Sequence, residues 1–382
     1  MPSESGPPTG DPAFTLWRPE TETAAAFPGT LPAQAFQPPT SMNTSPLLRL
    51  VLLALCLLPA ACNSGPKERD PEELFTLYRE SGFFYWQSED FERAEIQFAR
   101  ALEIKPDDLS SNLFMANLNL LKGRTETLLS AEQRFLSIED QTDYRVQLGL
   151  GQAREGLGVL YSDAAAEIAA GTRKTQAPDP AARVDELYEM SAETWSKAKQ
   201  NYRATLEVKP NHADAINGMQ RILALEGDLE GALVWTNRLL DLVKVDRAYY
   251  ESRLARPGIT DAEESDLRQR MQNSNDLAME TYLFGASLLH QLDRPVAELE
   301  YLQSAIDIAP ERATLYSRRA QAQMALSNYE EAIHSLDRFL ALSDLPFESA
   351  DIQRAYELRE NCERAVQDRE LEERLKNLEA GL

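Results

Sequence analysis

The chain has 382 residues, with 62 Asp+Glu against 39 Lys+Arg and a formal net charge of −23. Nucleic acids and anionic lipid headgroups are recognised chiefly through Lys and Arg, so this acidic balance argues against both as partners. The three cysteines make no disulfide framework, and His212, His290 and His334 lie scattered with no cysteine at ligand spacing, so no metal site or cofactor is expected.

Residues 1–41 hold nine of the 21 prolines and show no hydrophobic period. Such a composition cannot bury enough apolar surface to offset chain entropy. The segment therefore reads as a disordered leader, or as a stretch upstream of the true start. Met42 makes a better start. After it come Arg49, an apolar run over residues 50–58, and the small residues Ala60 and Ala61 before Cys62. These are the three regions of a secretory signal peptide, and the run is shorter than the roughly 20 residues a spanning helix needs.

The ending "LLPAAC" resembles the lipobox of bacterial lipoproteins, although Pro59 stands three residues before the cysteine, where that motif usually has Leu. The resemblance implies that residues 42–61 are removed and that Cys62 becomes the lipidated first residue of the mature chain, followed by a tether over 62–69. It also implies a membrane-anchored location in the cell envelope, facing the periplasm, with inner or outer membrane left open. Ordinary cleavage and an uncleaved anchor are the alternatives. From Cys62 onward 37 cations meet 58 anions, a net charge of −21, and Cys362 has no partner for an intramolecular disulfide.

Asp70, Pro71, Glu72 and Glu73 have the order of a helix start: a capping side chain, proline in the first turn, and acids near the positive end. In "SGFFYWQSEDFERAEIQFARALEIKP", Gly82, Tyr85, Ala94, Phe98, Ala101 and Pro106 follow a spacing that resembles the tetratricopeptide repeat. It recurs around Ala198, Tyr202 and Pro210, around Leu302, Ala305 and Pro310, and around Tyr316, Ala320, Ala332 and Phe339; a looser copy spans Gly227 to Leu239. Small residues let two helices approach, large ones fill the groove between them, and proline ends the second helix. Each hairpin leaves one face that only a neighbour can bury.

The resemblance implies an all-α fold, a right-handed α-solenoid of helical hairpins over residues 70–346. Eight ordinary repeats would fill the length. Unbroken stretches at 143–172 and 181–208, with punctuation near Pro178 and Pro257, instead favour six repeats of which two are overlong. Thr260 with Glu263 reads as a capping box opening a new helix. Residues 347–382 read as a charged helix that caps the last repeat with a polar outer face.

No nucleophile has a companion base, and "GLGQAREGLG" fails the dinucleotide pattern because Arg154 stands where the third glycine belongs. The chain is thus expected to be no enzyme. In proteins similar to this one, partner segments lie in a concave groove lined by the first helix of each repeat. On that mapping the groove carries Arg79, Phe83 and Trp86, then Leu113, Asn117 and Leu120. Farther along it carries Asn217 and Arg221, then Leu283, Ser287, His290 and Gln321. Four successive helical residues, "FFYW" at 83–86, cannot all face one core. Phe83 and Trp86 are expected to be the exposed aromatic anchors. The layout resembles lipid-tethered scaffolds that bind protein partners of the envelope; the alternative is a periplasmic lipoprotein holding a small molecule or glycan.

Overall fold

The structure, a computed structural model, describes residues 70–381. Met42, the apolar run and Cys62 lie outside the described residues. Among those described there are thirteen α-helices and no strand. They follow one another as six pairs and a final single helix. The first pairs are α1 (Pro71–Gln87) with α2 (Phe91–Ile104), and α3 (Leu109–Lys122) with α4 (Thr125–Ser137). Then come α5 (Tyr144–Ala169) with α6 (Pro180–Val208), and α7 (Ala213–Leu225) with α8 (Leu229–Leu254). The last pairs are α9 (Asp261–Gln291) with α10 (Pro295–Ile308), and α11 (Ala313–Ala325) with α12 (Tyr329–Leu342), before α13 (Ala350–Ala380).

Local chemistry explains the boundaries. Side chains of Asp70, Asp90, Asp108, Asp143, Asp179 and Asp228 each accept a backbone N–H at a helix start. Part of the chain's acidity is therefore capping chemistry. The connections inside pairs turn through left-handed residues: Glu89, Gly123, Gly227, Asp293 and Ser327 all have φ between +54° and +83°. Thr260 Oγ1 accepts from Glu263 N at 3.3 Å, as a capping box requires, but the Glu263 carboxylate pairs with Arg253 instead of closing the box.

The chain divides into two compact units, with the boundary between Thr127 and Leu128 in the first turn of α4. In the described part of the first unit, α1 and α2 form a hairpin on which α3 packs. Gly82 lets the Phe98 ring lie on α1; a Cβ there would sit 2.7 Å from Phe98 Cε1. Ala94, Phe98 and Leu118 form the core, with Phe83, Tyr85, Trp86, Phe114 and Met115 packed around it.

In the second unit α4 packs on α5, and four hairpins follow. The glycines of "GLGQAREGLG" form two stripes along α5. Gly149 and Gly156 face Phe135 and Leu128 of α4, while Gly151 and Gly158 face Tyr202 and Trp195 of α6. Tyr202 is sandwiched, since Gly218 of α7 meets its other edge. Helices α5 and α6, 26 and 29 residues long, continue past the ordinary hairpin length and close their tip with Ala164, Ala165 and Leu187. The other overlong pair, α8 and α9, is joined by the turn near Gly258 and is the link between successive hairpins.

Helix α13 packs Ile352, Ala355 and Cys362 against the cluster containing Leu336 and Phe339. Its outer end departs from the polar surface expected of a cap. From Gln367 every described residue is exposed, and Leu371, Leu375 and Leu378 are 56%, 51% and 66% accessible.

Candidate functional site

The first unit changes the reading of the aromatic run. Phe83 and Trp86 turn inward and are half-buried. Phe83 lies edge-on to Phe98 and to Phe114 at 5.6 and 4.7 Å, and Trp86 meets Phe114 and Phe91 at 4.9 and 5.4 Å. The reason is the 100° step of the helix combined with α3: the side of α1 that carries Phe83 and Trp86 is covered by Phe114, itself stacked on Phe98. The exposed aromatic is Phe84, 64% accessible, one helical step away. Leu113 is likewise core, 6% accessible. Arg79 lies over the Phe75 ring at 5.1 Å and 4.0 Å from Asp108, while Asn117 and Leu120 remain half-buried on α3.

In the second unit the first helices of successive hairpins are tied together by arginines. From α7, Arg221 Nε and Nη2 donate to Glu155 Oε1 and Oε2 of α5 at 2.6 and 3.0 Å. Tyr202 Oη donates to the same carboxylate. Burial opposes the Arg221 charge, but Glu155 more than offsets it, so the guanidinium is held above its usual value. Burial, then the Glu155 charge, pushes the Tyr202 hydroxyl well above the ordinary phenol range. Arg154 completes this seam with Glu132 at 2.7 Å and Asn201 at 2.8 Å. Asn217, also expected in the groove, accepts from Gln220 at 2.6 Å.

The same construction recurs one hairpin pair later. From α11, Arg318 Nη2 donates to Ser287 Oγ at 2.7 Å, and Nη1 to the Leu283 carbonyl at 3.3 Å, both on α9. Burial draws the Arg318 guanidinium below its usual value, with Glu298 opposing the change. Glu298 of α10 is 3% accessible and its carboxylate lies 3.2 Å from His290 Nδ1, whose side chain is 61% exposed. Burial pushes the Glu298 carboxyl up, and His290 and Arg318 pull it back. Leu283, Ser287 and His290 are thereby brought together, and Gln321 stands exposed one turn along α11 from Arg318.

Sequence reasoning missed Glu155, Glu298 and Arg318, and it misplaced the exposed aromatic. A signal for Glu155 was present: two glycine pairs seven residues apart leave no room for a bulky side chain on α5, so neighbours must come close and a lone acid between them needs a partner. Nothing in the sequence distinguishes Arg318 from its neighbour Arg319.

Geometrically these are hydrogen-bonded polar faces between helices. Two shallow hollows lie each along one helix and open to solvent, one lined by Glu264, Arg268 and Gln272 on α9, the other by Glu73, Thr76 and Leu77 on α1. Among the described residues no three His, Cys, Asp or Glu side chains gather where they could hold a metal ion. No described helix is long and apolar enough to cross a membrane.

The family description "Tetratricopeptide repeat" matches residues 78–108. Residues 78–108, which run from the middle of α1 through α2 to the start of α3, are thus a tetratricopeptide repeat, set among further helical hairpins. A thermophilic TPR protein of Thermus thermophilus is similar in structure: 17% identity, 65% of this chain and 99% of the other covered, TM-score 0.38. A tetratricopeptide repeat protein from Parabacteroides merdae gives 13%, 75%, 99% and 0.33, and Pseudomonas aeruginosa pilF gives 14%, 79%, 88% and 0.31. At these values none bears on activity or partner. No curated protein matches.

Proposed function

We propose that this chain is a non-enzymatic, lipid-anchored scaffold of the bacterial cell envelope that binds protein partners and helps assemble a multiprotein complex. A tetratricopeptide fold is consistent with protein–protein interaction; the anchor and the location rest on the signal-like segment ending at Cys62. The observation that carries the reading is the face of α7, α9 and α11. Its polar groups are fixed by Arg221–Glu155 and Arg318–Ser287 and are half-buried, with His290 and Gln321 exposed beside them. Small-molecule sites are enclosed apolar clefts with a few convergent polar groups. An open face with pre-positioned donors suits an extended polypeptide, whose binding is favoured when the receptor loses little freedom. The open hollows likewise favour this reading over a glycan-binding or small-molecule lipoprotein.

The test is crosslinking in intact envelopes followed by purification of the chain. His290→Ala with Gln321→Ala changes two exposed side chains; because His290 faces buried Glu298, thermal unfolding checks that the double variant stays folded. The parent should capture defined proteins and the double variant should lose them. Equal capture by both, or none by the parent, contradicts the proposal. Mass spectrometry of the amino terminus tests the anchor: a lipidated Cys62 is expected, and any peptide from residues 1–41 in the mature protein counts against it.

A further inference from the structure

We infer that the free end of α13 is a self-association surface, on which a second copy of this chain docks as a parallel two-stranded coiled coil. Single exposed leucines are ordinary on a protein surface. Here Leu371, Leu375 and Leu378 recur at intervals of four and three on a segment whose described residues beyond Gln367 are all exposed. That spacing is the seam of a coiled coil, with Leu371 and Leu378 at d and Leu375 at a.

The charges flanking the seam choose the occupant and its direction. Glu372 and Glu379 fall at e; Gln367 and Arg374 fall at g. In a parallel pair each g residue faces the e residue five positions on in the other strand. Arg374 of one copy then meets Glu379 of the second, twice by symmetry, and Gln367 meets Glu372. An antiparallel pair would set e against e, bringing Glu372 and Glu379 together as like charges. In the single chain Arg374 has only a loose contact, 3.7 Å to Glu370, with both side chains mostly exposed. It is therefore free to re-pair at little cost.

The helix is also ordered before it meets a partner. Its first half is packed through Ile352, Ala355 and Cys362, and Arg359–Asp337 at 2.6 Å and the Arg369–Glu330 ion pair tie it to α12. An isolated segment this short would have to nucleate helix on binding, which is unfavourable. As the continuation of a docked helix it does not. The seam is little more than one heptad, with Asp368 at the a position before Leu371, so pairing should be weak and concentration-dependent. It would join copies held at high local concentration on one membrane surface, and it does not depend on what the groove binds.

The test is light scattering of the purified full chain from about 1 to about 200 µM, where mass action reveals weak pairing. The mass should rise toward the dimer for the parent and stay monomeric for Leu375→Glu. Arg374→Glu and Glu379→Arg should each weaken pairing roughly threefold to tenfold by replacing two attractions with two repulsions, and the double exchange should restore it. Circular dichroism checks that each variant stays helical. A parent that is monomeric throughout, or a Leu375→Glu chain that associates as strongly as the parent, overturns the inference. Failure of the double exchange to restore pairing overturns the parallel arrangement.

Discussion

At the residue scale, the glycines of α5 are places where side chains would collide with aromatic rings. Gly151→Ala gains up to about 1 kcal/mol of helix propensity. Its Cβ would lie 2.6 Å from Tyr202 Cε1, and Tyr202 cannot withdraw because Gly218 backs its other edge. Overpacking of about 1–3 kcal/mol should win, so the variant is expected to unfold at lower denaturant concentration than the parent. The aromatic run offers a second comparison. Trp86→Ala removes a ring held by Phe91 and Phe114 and should cost about 2 kcal/mol or more, whereas Phe84→Ala should stay within about 0.5 kcal/mol. Glu298 gives a pH prediction. Its carboxyl titrates higher folded than unfolded, so the folded state binds more protons between those two values and stability falls as pH rises through them. Glu298→Gln should remove that decline, melting no lower than the parent at neutral pH. Thermal unfolding across pH checks this, and a larger loss for the variant at neutral than at acidic pH would show that the carboxylate is needed charged.

At the scale of elements, α13 is two objects in one helix. Deleting residues 347–382 should expose Leu336 and Phe339 and lead to aggregation or proteolysis from that end. Ending the chain after Val366 removes described residues that are all exposed, together with the surface Arg369–Glu330 ion pair, and should shift Tm by no more than about 2 °C. Much of this scale was legible in the sequence. Asp70, Pro71 and the acids behind them marked the start of α1, and the prolines at 106, 210 and 310 marked where second helices end. The long breakless stretches marked α5 and α6. What pattern could not give was direction. Helical geometry says that one residue of 83–86 must be exposed, but which one depends on how α3 crosses α1, and that rests on Phe114. Arg318 and Glu298 were invisible because their importance comes from burial by other hairpins. The leucines at 371, 375 and 378 went unremarked because the surrounding charge made the helix look uniformly polar.

At the scale of the whole molecule, capping aspartates fix the helix starts and arginine ties fix the polar faces between helices. In the second unit Arg221 ties α7 to α5 and Arg318 ties α11 to α9, while both helices of each hairpin contribute to the apolar core. A partner bound to that surface would bury backbone and side chains of α7, α9 and α11 and leave α8, α10 and α12 as they were. Hydrogen exchange on the full chain, alone and with a crosslink-identified partner, measures this directly. The account predicts added protection over residues 213–225, 277–291 and 313–325. Protection confined to the second helices or to α13, with those three segments unchanged, would contradict it.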